Sequence, residues 1–148
     1  MLLKKYKEEL LSSIPVVSSM DVDIVDVGPT SIVLTAPLNT NINYEGTAFG
    51  GSLNTLCILS SYLLVHHILK QAGIGFNSLV IQNSEVEYLK PVDGDFSAQA
   101  SLSVSDEKLF YKLMNKKGIG RVTIISEIKT NQADDVRVRF KGRFVATK

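Results

Sequence analysis

Between Ser52 and Ala72 apolar residues cover most of a helix's circumference: Leu53, Leu56, Cys57, Ile58, Leu59, Leu63, Leu64, Val65, Ile68 and Leu69. A helix of this span is about 31 Å long. One that is apolar nearly all round has to be surrounded by other structure. Gly73 or Gly75 supplies its stop. Elsewhere the pattern changes to a period of two. Phe96, Ala98, Ala100, Leu102 and Val104 alternate with Ser97, Gln99, Ser101 and Ser103, which predicts a strand with one face on a core. Ile32, Leu34 and Ala36 do the same within Ser31–Leu38, and Met20–Val27 precedes them across the Gly28-Pro29 turn. Leu79–Leu89, Arg121–Thr130 and Asp135–Thr147 complete six strands, the last with Val136, Val138, Phe140, Phe144 and Ala146 as its buried face. Two shorter helices are predicted. Leu2–Leu11 ends before Pro15. The other is capped by Ser105, carries Leu109, Phe110, Leu113 and Met114 on one side, and stops at Gly118.

This order predicts an α+β chain in which an antiparallel sheet curls around one long helix. No repeat, low-complexity tract or linker interrupts the 148 residues, so residues 1–148 are expected to form one domain. Composition and charge narrow the functions. A net charge of +1 argues against a general nucleic-acid binder, which carries a basic excess. Cys57 is the only cysteine, so no internal disulfide forms and a cytoplasmic setting is expected. The opening MLLKKYKEELL places charges where a signal peptide needs its apolar core. Gly46–Leu69 lacks Asp, Glu, Lys and Arg and is long enough to cross a bilayer. Its glycines, serines, asparagine and two histidines nevertheless suit a buried helix better than one facing lipid.

The candidate chemistry gathers in Asn43-Tyr44-Glu45-Gly46-Thr47-Ala48-Phe49-Gly50-Gly51-Ser52. Two glycines before a long helix allow close approach of a ligand and leave the first N–H groups free. The positive end of the helix dipole adds to their field. Such a site suits an oxygen that becomes negative, as a thioester carbonyl oxygen does during reaction. The Asn43 amide adds a second donor in this reading. Loss of one such donor typically costs about 2.7–4 kcal/mol, which is the expectation for Asn43→Ala. The simpler account makes Gly50-Gly51 a tight turn and Ser52 an N-cap.

The run Asn-x-x-Gly-Thr-Ala-Phe-Gly-Gly-Ser-Leu before a buried helix resembles the active-site loop of hotdog-fold thioesterases. More narrowly it resembles the bacterial thioesterase-like domain that also occurs fused behind GNAT acetyltransferases. Ser84-Glu85-Val86-Glu87-Tyr88-Leu89-Lys90-Pro91-Val92, then Gly94-Asp95-Phe96, is similar to the same family's turn between third and fourth strands. The resemblance implies a hotdog fold and a homodimer, or a tetramer of two dimers, acting on thioesters of coenzyme A or acyl carrier protein without a cofactor. It implies that the thioester oxygen meets Gly50 or Gly51 with Asn43 alongside, that Phe49, Ser52 and Tyr88 line the substrate, and that a partner strand brings Asn83, Ser84 or Glu85. The chain departs from the wider family in having Phe49 where many members have His, and Cys57, Ile58 and Leu59 where they have an acid. Water activation would then fall to Glu45 or Glu85. Decarboxylation of a malonyl thioester needs no such base and stands as the alternative. A non-catalytic thioester-binding module is the third reading.

Other residues carry less. His66 and His67 point about 100° apart on a helix and have no ligand beside them at metal spacing. Cys57 reads as a small core residue. Arg137, Arg139, Lys141 and Arg143 fall on the polar face of the last strand, expected to be a solvated sheet face, with docking of an acidic carrier or a coenzyme phosphate as the other use.

Overall fold

The fold is described from a computed structural model covering residues 1–148. Helix α1 spans Leu2–Ser13 and is followed by a 3-10 turn, Pro15–Met20. Strands β1 (Asp23–Val27) and β2 (Ser31–Ala36) precede helix α2 (Gly50–Gln71). Then come β3 (Ser78–Tyr88), β4 (Phe96–Ser101), helix α3 (Val104–Lys117), β5 (Ile119–Thr130) and β6 (Val138–Thr147). The six strands form one antiparallel sheet in the order β1-β2-β4-β5-β6-β3. The sheet wraps α2 in the hotdog arrangement.

Period-two patterning accounts for the sheet's two faces. In β2, β4, β5 and β6, Ile32, Leu34, Ala98, Ala100, Ile124, Ile128, Val138, Phe140 and Phe144 are buried, while intervening residues face outward. Against this inner face α2 lays Leu56, Cys57, Leu64, Ile68 and Leu69. Its other side is covered from the N-terminus of the chain. Tyr6, Leu10 and Val17 are buried, and the Tyr6 hydroxyl lies 2.8 Å from His67 Nδ1. By length and composition α2 could cross a bilayer, but 67% of that window is buried inside the protein.

Three details differ from the sequence expectation. Helix α2 begins at Gly50 with Phe49 as its N-cap, so Ser52 lies inside the first turn and caps nothing. Helix α3 is capped by Ser103, not Ser105: β4 ends at Ser101, and the Ser103 hydroxyl accepts the Asp106 N–H at 3.2 Å. A serine three residues before an acidic residue matches the N-terminal capping pattern, which outweighed the alternation continuing to Val104. Strand β6 begins only at Val138, leaving Val136 half-buried. Gly118 does end α3, in the left-handed conformation.

Strand β3 is the uncovered edge. It pairs only with β6, is interrupted by a bulge between Ile81 and Asn83, and exposes ten of its eleven residues to solvent or part-solvent while burying Leu79.

Candidate active site

The segment between β2 and α2 is a loop built from its own side chains. Asn41 is buried, and its amide donates to Met20 O and Pro37 O. Its carbonyl accepts the Phe49 N–H at 2.7 Å. Ala48 N–H donates to Val92 O at 2.8 Å, tying the loop to the β3–β4 crossing, and Leu38 N–H donates to Asp95 Oδ1. Asn43 folds the loop on itself. Its Oδ1 accepts the N–H groups of Glu45 (2.8 Å) and Thr47 (3.1 Å), and its Nδ2 donates to Thr47 Oγ1 (3.0 Å) and Ala48 O (3.3 Å). Both amide hydrogens are thus engaged inside the loop, which gives Asn43 a bracing position. Gly46, with φ +78, makes the reversal that lets these groups meet. Glu45 stands exposed at the tip.

This scaffold delivers Gly50, Gly51 and Ser52 to the start of α2. No side chain caps the helix, and the first turn-closing bond is Leu53 N–H to Phe49 O. Three N–H groups therefore point outward with the helix dipole behind them. Phe49 is 55% exposed, and its ring lies over Gly51, where an added Cβ would overlap it. On the other side the Tyr88 ring approaches Gly50, and its hydroxyl donates to Gly50 O at 3.1 Å. Burial, and then Cys57, raise the Tyr88 pKa, so it remains a neutral donor. Open cavities flank Phe49. One, of about 260 Å³, is lined by Val16, Met20, Phe49, Gly51, Ser52 and Thr55; the other, of about 380 Å³, by Ile42, Asn43, Tyr44 and Phe49.

The candidates named from the sequence divide by sheet face. Gly50, Gly51, Ser52, Phe49 and Tyr88 come together at the helix end. Ser84 and Tyr88 share the inner face of β3, opposite the buried Gly142 and Val138. Asn83 and Glu85 alternate to the outer face, opposite Arg143 and Lys141. Within one chain they do not reach α2.

Sequence reasoning missed the bracing position of Arg137. Arg137 was expected on a solvated face, but its side chain is only 16% exposed. Its Nη1 donates to Pro91 O at 2.6 Å and lies 3.6 Å from Asp93, bracing the crossing that receives the Ala48 N–H. Its Nε lies 2.9 Å from Asp135 Oδ2 without pointing at it. Hydrogen bonding from Lys90 foremost, with the positive charge of Arg137 beside it, holds the Asp135 carboxyl below its usual range. Alternation alone could not show that the chain folds back over Arg137. Arg139 pairs with Glu127 at 3.2 Å. The thiol of Cys57 is buried and pushed up to about 12, despite a bond from Ser126, which makes it unreactive. His66 and His67 diverge: His66 lies against Tyr62 and Phe76, and His67 against Tyr6.

Solved structures share this architecture along nearly the whole chain. A Chlorobaculum tepidum protein of unknown function matches with a TM-score of 0.91 and 25% identity, covering 99% of this chain and 94% of its own. A Shewanella oneidensis protein titled a putative thioesterase matches at 0.87 and 20%, covering 99% and 98%. A Haemophilus influenzae thioesterase matches at 0.74 and 17%, covering 99% and 90%. No curated protein sequence matches the chain. The family model described as "Putative thioesterase (yiiD_Cterm)" matches residues 3–148. With the site at the head of its central helix, the chain belongs to that thioesterase family.

Proposed function

We propose that the protein hydrolyses acyl thioesters of coenzyme A or acyl carrier protein at the head of α2. The observation that carries this reading is the uncapped helix end, with the N–H groups of Gly50, Gly51 and Ser52 free. Attack on a thioester turns its carbonyl oxygen into an oxyanion. Preorganised N–H donors stabilise that charge more than they stabilise the neutral substrate. The open cavities beside Phe49 leave room for the acyl and thiol arms.

A second reading is favoured by where the carboxylates lie. Glu45 is exposed at the loop tip, Glu85 is on the outer sheet face, and α2 carries no acid. Decarboxylation of a malonyl thioester uses the same donors without a base. The bond between the α-carbon and the carboxylate breaks, carbon dioxide leaves, and the electron pair passes to the enolate oxygen. A proton from water then restores the α-carbon.

A second copy of the chain suits the open edge at β3, whose exposed Val80, Ile81 and Tyr88, with Leu89 just beyond, are otherwise left in water. Asn83, Ser84 or Glu85 of the partner would then help complete the pocket. The lone buried Cys57 fits a cytoplasmic setting.

Mass spectrometry of malonyl-carrier protein and a panel of acyl thioesters after incubation separates these chemistries. Free thiol marks hydrolysis. Loss of carbon dioxide with the thioester intact marks decarboxylation. Neither product from any thioester would refute both.

A further inference from the structure

Two cavities open along one side of α2. At the head of the helix, Val16 and Met20 of the 3-10 turn stand across from Gly51 and Thr55. Val16 is 77% exposed, an apolar side chain left in water at this mouth. The second cavity, of about 230 Å³, lies two helical turns further on, between Ser13 and Ile14 at the end of α1 and Tyr62, Leu63 and His66. Gly51, Thr55, Tyr62 and His66 follow one another by four, seven and four residues, so they form one stripe of the helix. The N-terminal segment runs back along that stripe, and the walls of the two cavities adjoin at Ile14 and Val16. Between Thr55 and Tyr62 the stripe carries Ile58 and Leu59, which keep the path between them apolar.

The far end is closed. Tyr6 lines the second cavity, is buried, and is pinned by the 2.8 Å bond between its hydroxyl and His67 Nδ1. Burial foremost, with Lys70, lowers the His66 pKa and Glu9 opposes them, so the imidazole there is neutral. The polar lining residues Glu9 and Ser13 are half-exposed and exposed, on the solvent side of the cavity. From Gly51 to Tyr62 the stripe is about 17 Å long. An extended alkyl chain advances about 1.3 Å per carbon, so this length matches roughly a dozen carbons.

We propose that this side of α2 binds the acyl chain of the substrate, a linear saturated chain of roughly ten to twelve carbons whose methyl end enters the cavity at the end of α1. The inference rests on the hydrolytic reading above and names its substrate class. A malonyl group is too short to leave the head of the helix, so the acyl groove favours hydrolysis over decarboxylation. Tyr6, held by His67, is the stop that sets the chain length.

The test measures kcat/KM on straight-chain acyl thioesters from acetyl to hexadecanoyl, for the wild type, Ser13→Trp and Glu9→Trp. Neither substituted residue belongs to the core, so each new ring fills the second cavity without unpacking the fold. Burying one methylene gains at most about fourfold. Wild-type kcat/KM is therefore expected to rise about two- to fourfold per methylene, to a maximum near ten to twelve carbons. Each tryptophan should move that maximum to a shorter chain and lower the ratio of dodecanoyl to butanoyl kcat/KM at least tenfold. A flat wild-type profile, as expected if a second copy of the chain fills this side of α2, overturns the proposal. So does a profile of wild-type shape in both variants. Turnover of malonyl or short-chain thioesters alone leaves the thioester reading standing and overturns the acyl groove. No turnover of any thioester by the wild type overturns the thioester reading, and this inference with it.

Discussion

Replacing Asn43 with alanine separates a loop brace from a group that touches substrate. The side chain holds Glu45 and Thr47 N–H through its oxygen, and Thr47 Oγ1 and Ala48 O through its nitrogen. A hydrogen bond contributes about 0.5–1.5 kcal/mol net. The Glu45 amide is exposed and rehydrates when freed, and the Ala48 contact is long, so the loss sums to about 2 kcal/mol of local stability. That corresponds to roughly thirtyfold more frequent loop opening. Hydrogen exchange reads it directly. Thr47 loses its own acceptor, so the informative amides are Ala48 and Phe49, whose partners Val92 O and Asn41 O are untouched by the substitution. Both should exchange roughly thirtyfold faster, with β5 amides unchanged. Should kcat fall a hundredfold while Ala48 and Phe49 exchange at wild-type rates, Asn43 acts on the substrate itself and the bracing assignment is wrong.

The remaining expectations follow from the same geometry. Burial foremost, with His66 and Lys70, lowers the His67 pKa, while the Gly28 carbonyl opposes them. The unfolded chain binds that proton near pH 6.5. The stability from neutral His67 is therefore present above about pH 6.5 and is lost as pH falls toward the depressed folded value. Urea midpoints should drop on acidification below that point, and less steeply for His67→Asn; an unchanged slope would count against this. Gly51→Ala drives the half-exposed Phe49 ring aside without disturbing the core, so melting should move little while kcat/KM changes at least tenfold. Ser103→Ala should cost about 1 kcal/mol in denaturant unfolding as an N-cap loss, and Ser105→Ala under about 0.5 kcal/mol. Light scattering should find a dimer that Val80→Asp dissociates; a wild-type monomer would remove β3 as an interface.

The elements readable from sequence were those whose signal is local. The apolar residues of α2 and the alternation in β4 and β6 each declare a period within about ten residues, and the sheet closes around α2 as that pattern requires. The boundaries that moved were decided by competition between neighbours. Ser103 won the cap of α3 from Ser105 because Asp106 N–H falls within reach of its hydroxyl. Gly50 and Gly51 entered the helix because Asn41 O and Val92 O hold the residues just before them. Those two carbonyls come from opposite sides of the central helix in sequence, and no pattern in the loop announces either.

The same distinction runs through the site. The place of the glycine pair at the head of α2 was legible from the apolar run that follows it. The separation of Glu85 from the helix end was not, although alternation contains it: the bulge after Ile81 resets which β3 residues face inward. Past that bulge Ser84, Val86 and Tyr88 face α2, and Asn83, Glu85 and Glu87 face away. Without that extra residue the alternation from Leu79 and Ile81 would carry Glu85 to the inner face and turn Tyr88 outward. The chemistry open to this loop therefore depends on one strand irregularity well outside it, which leaves a phenol, not a carboxylate, beside the free N–H groups.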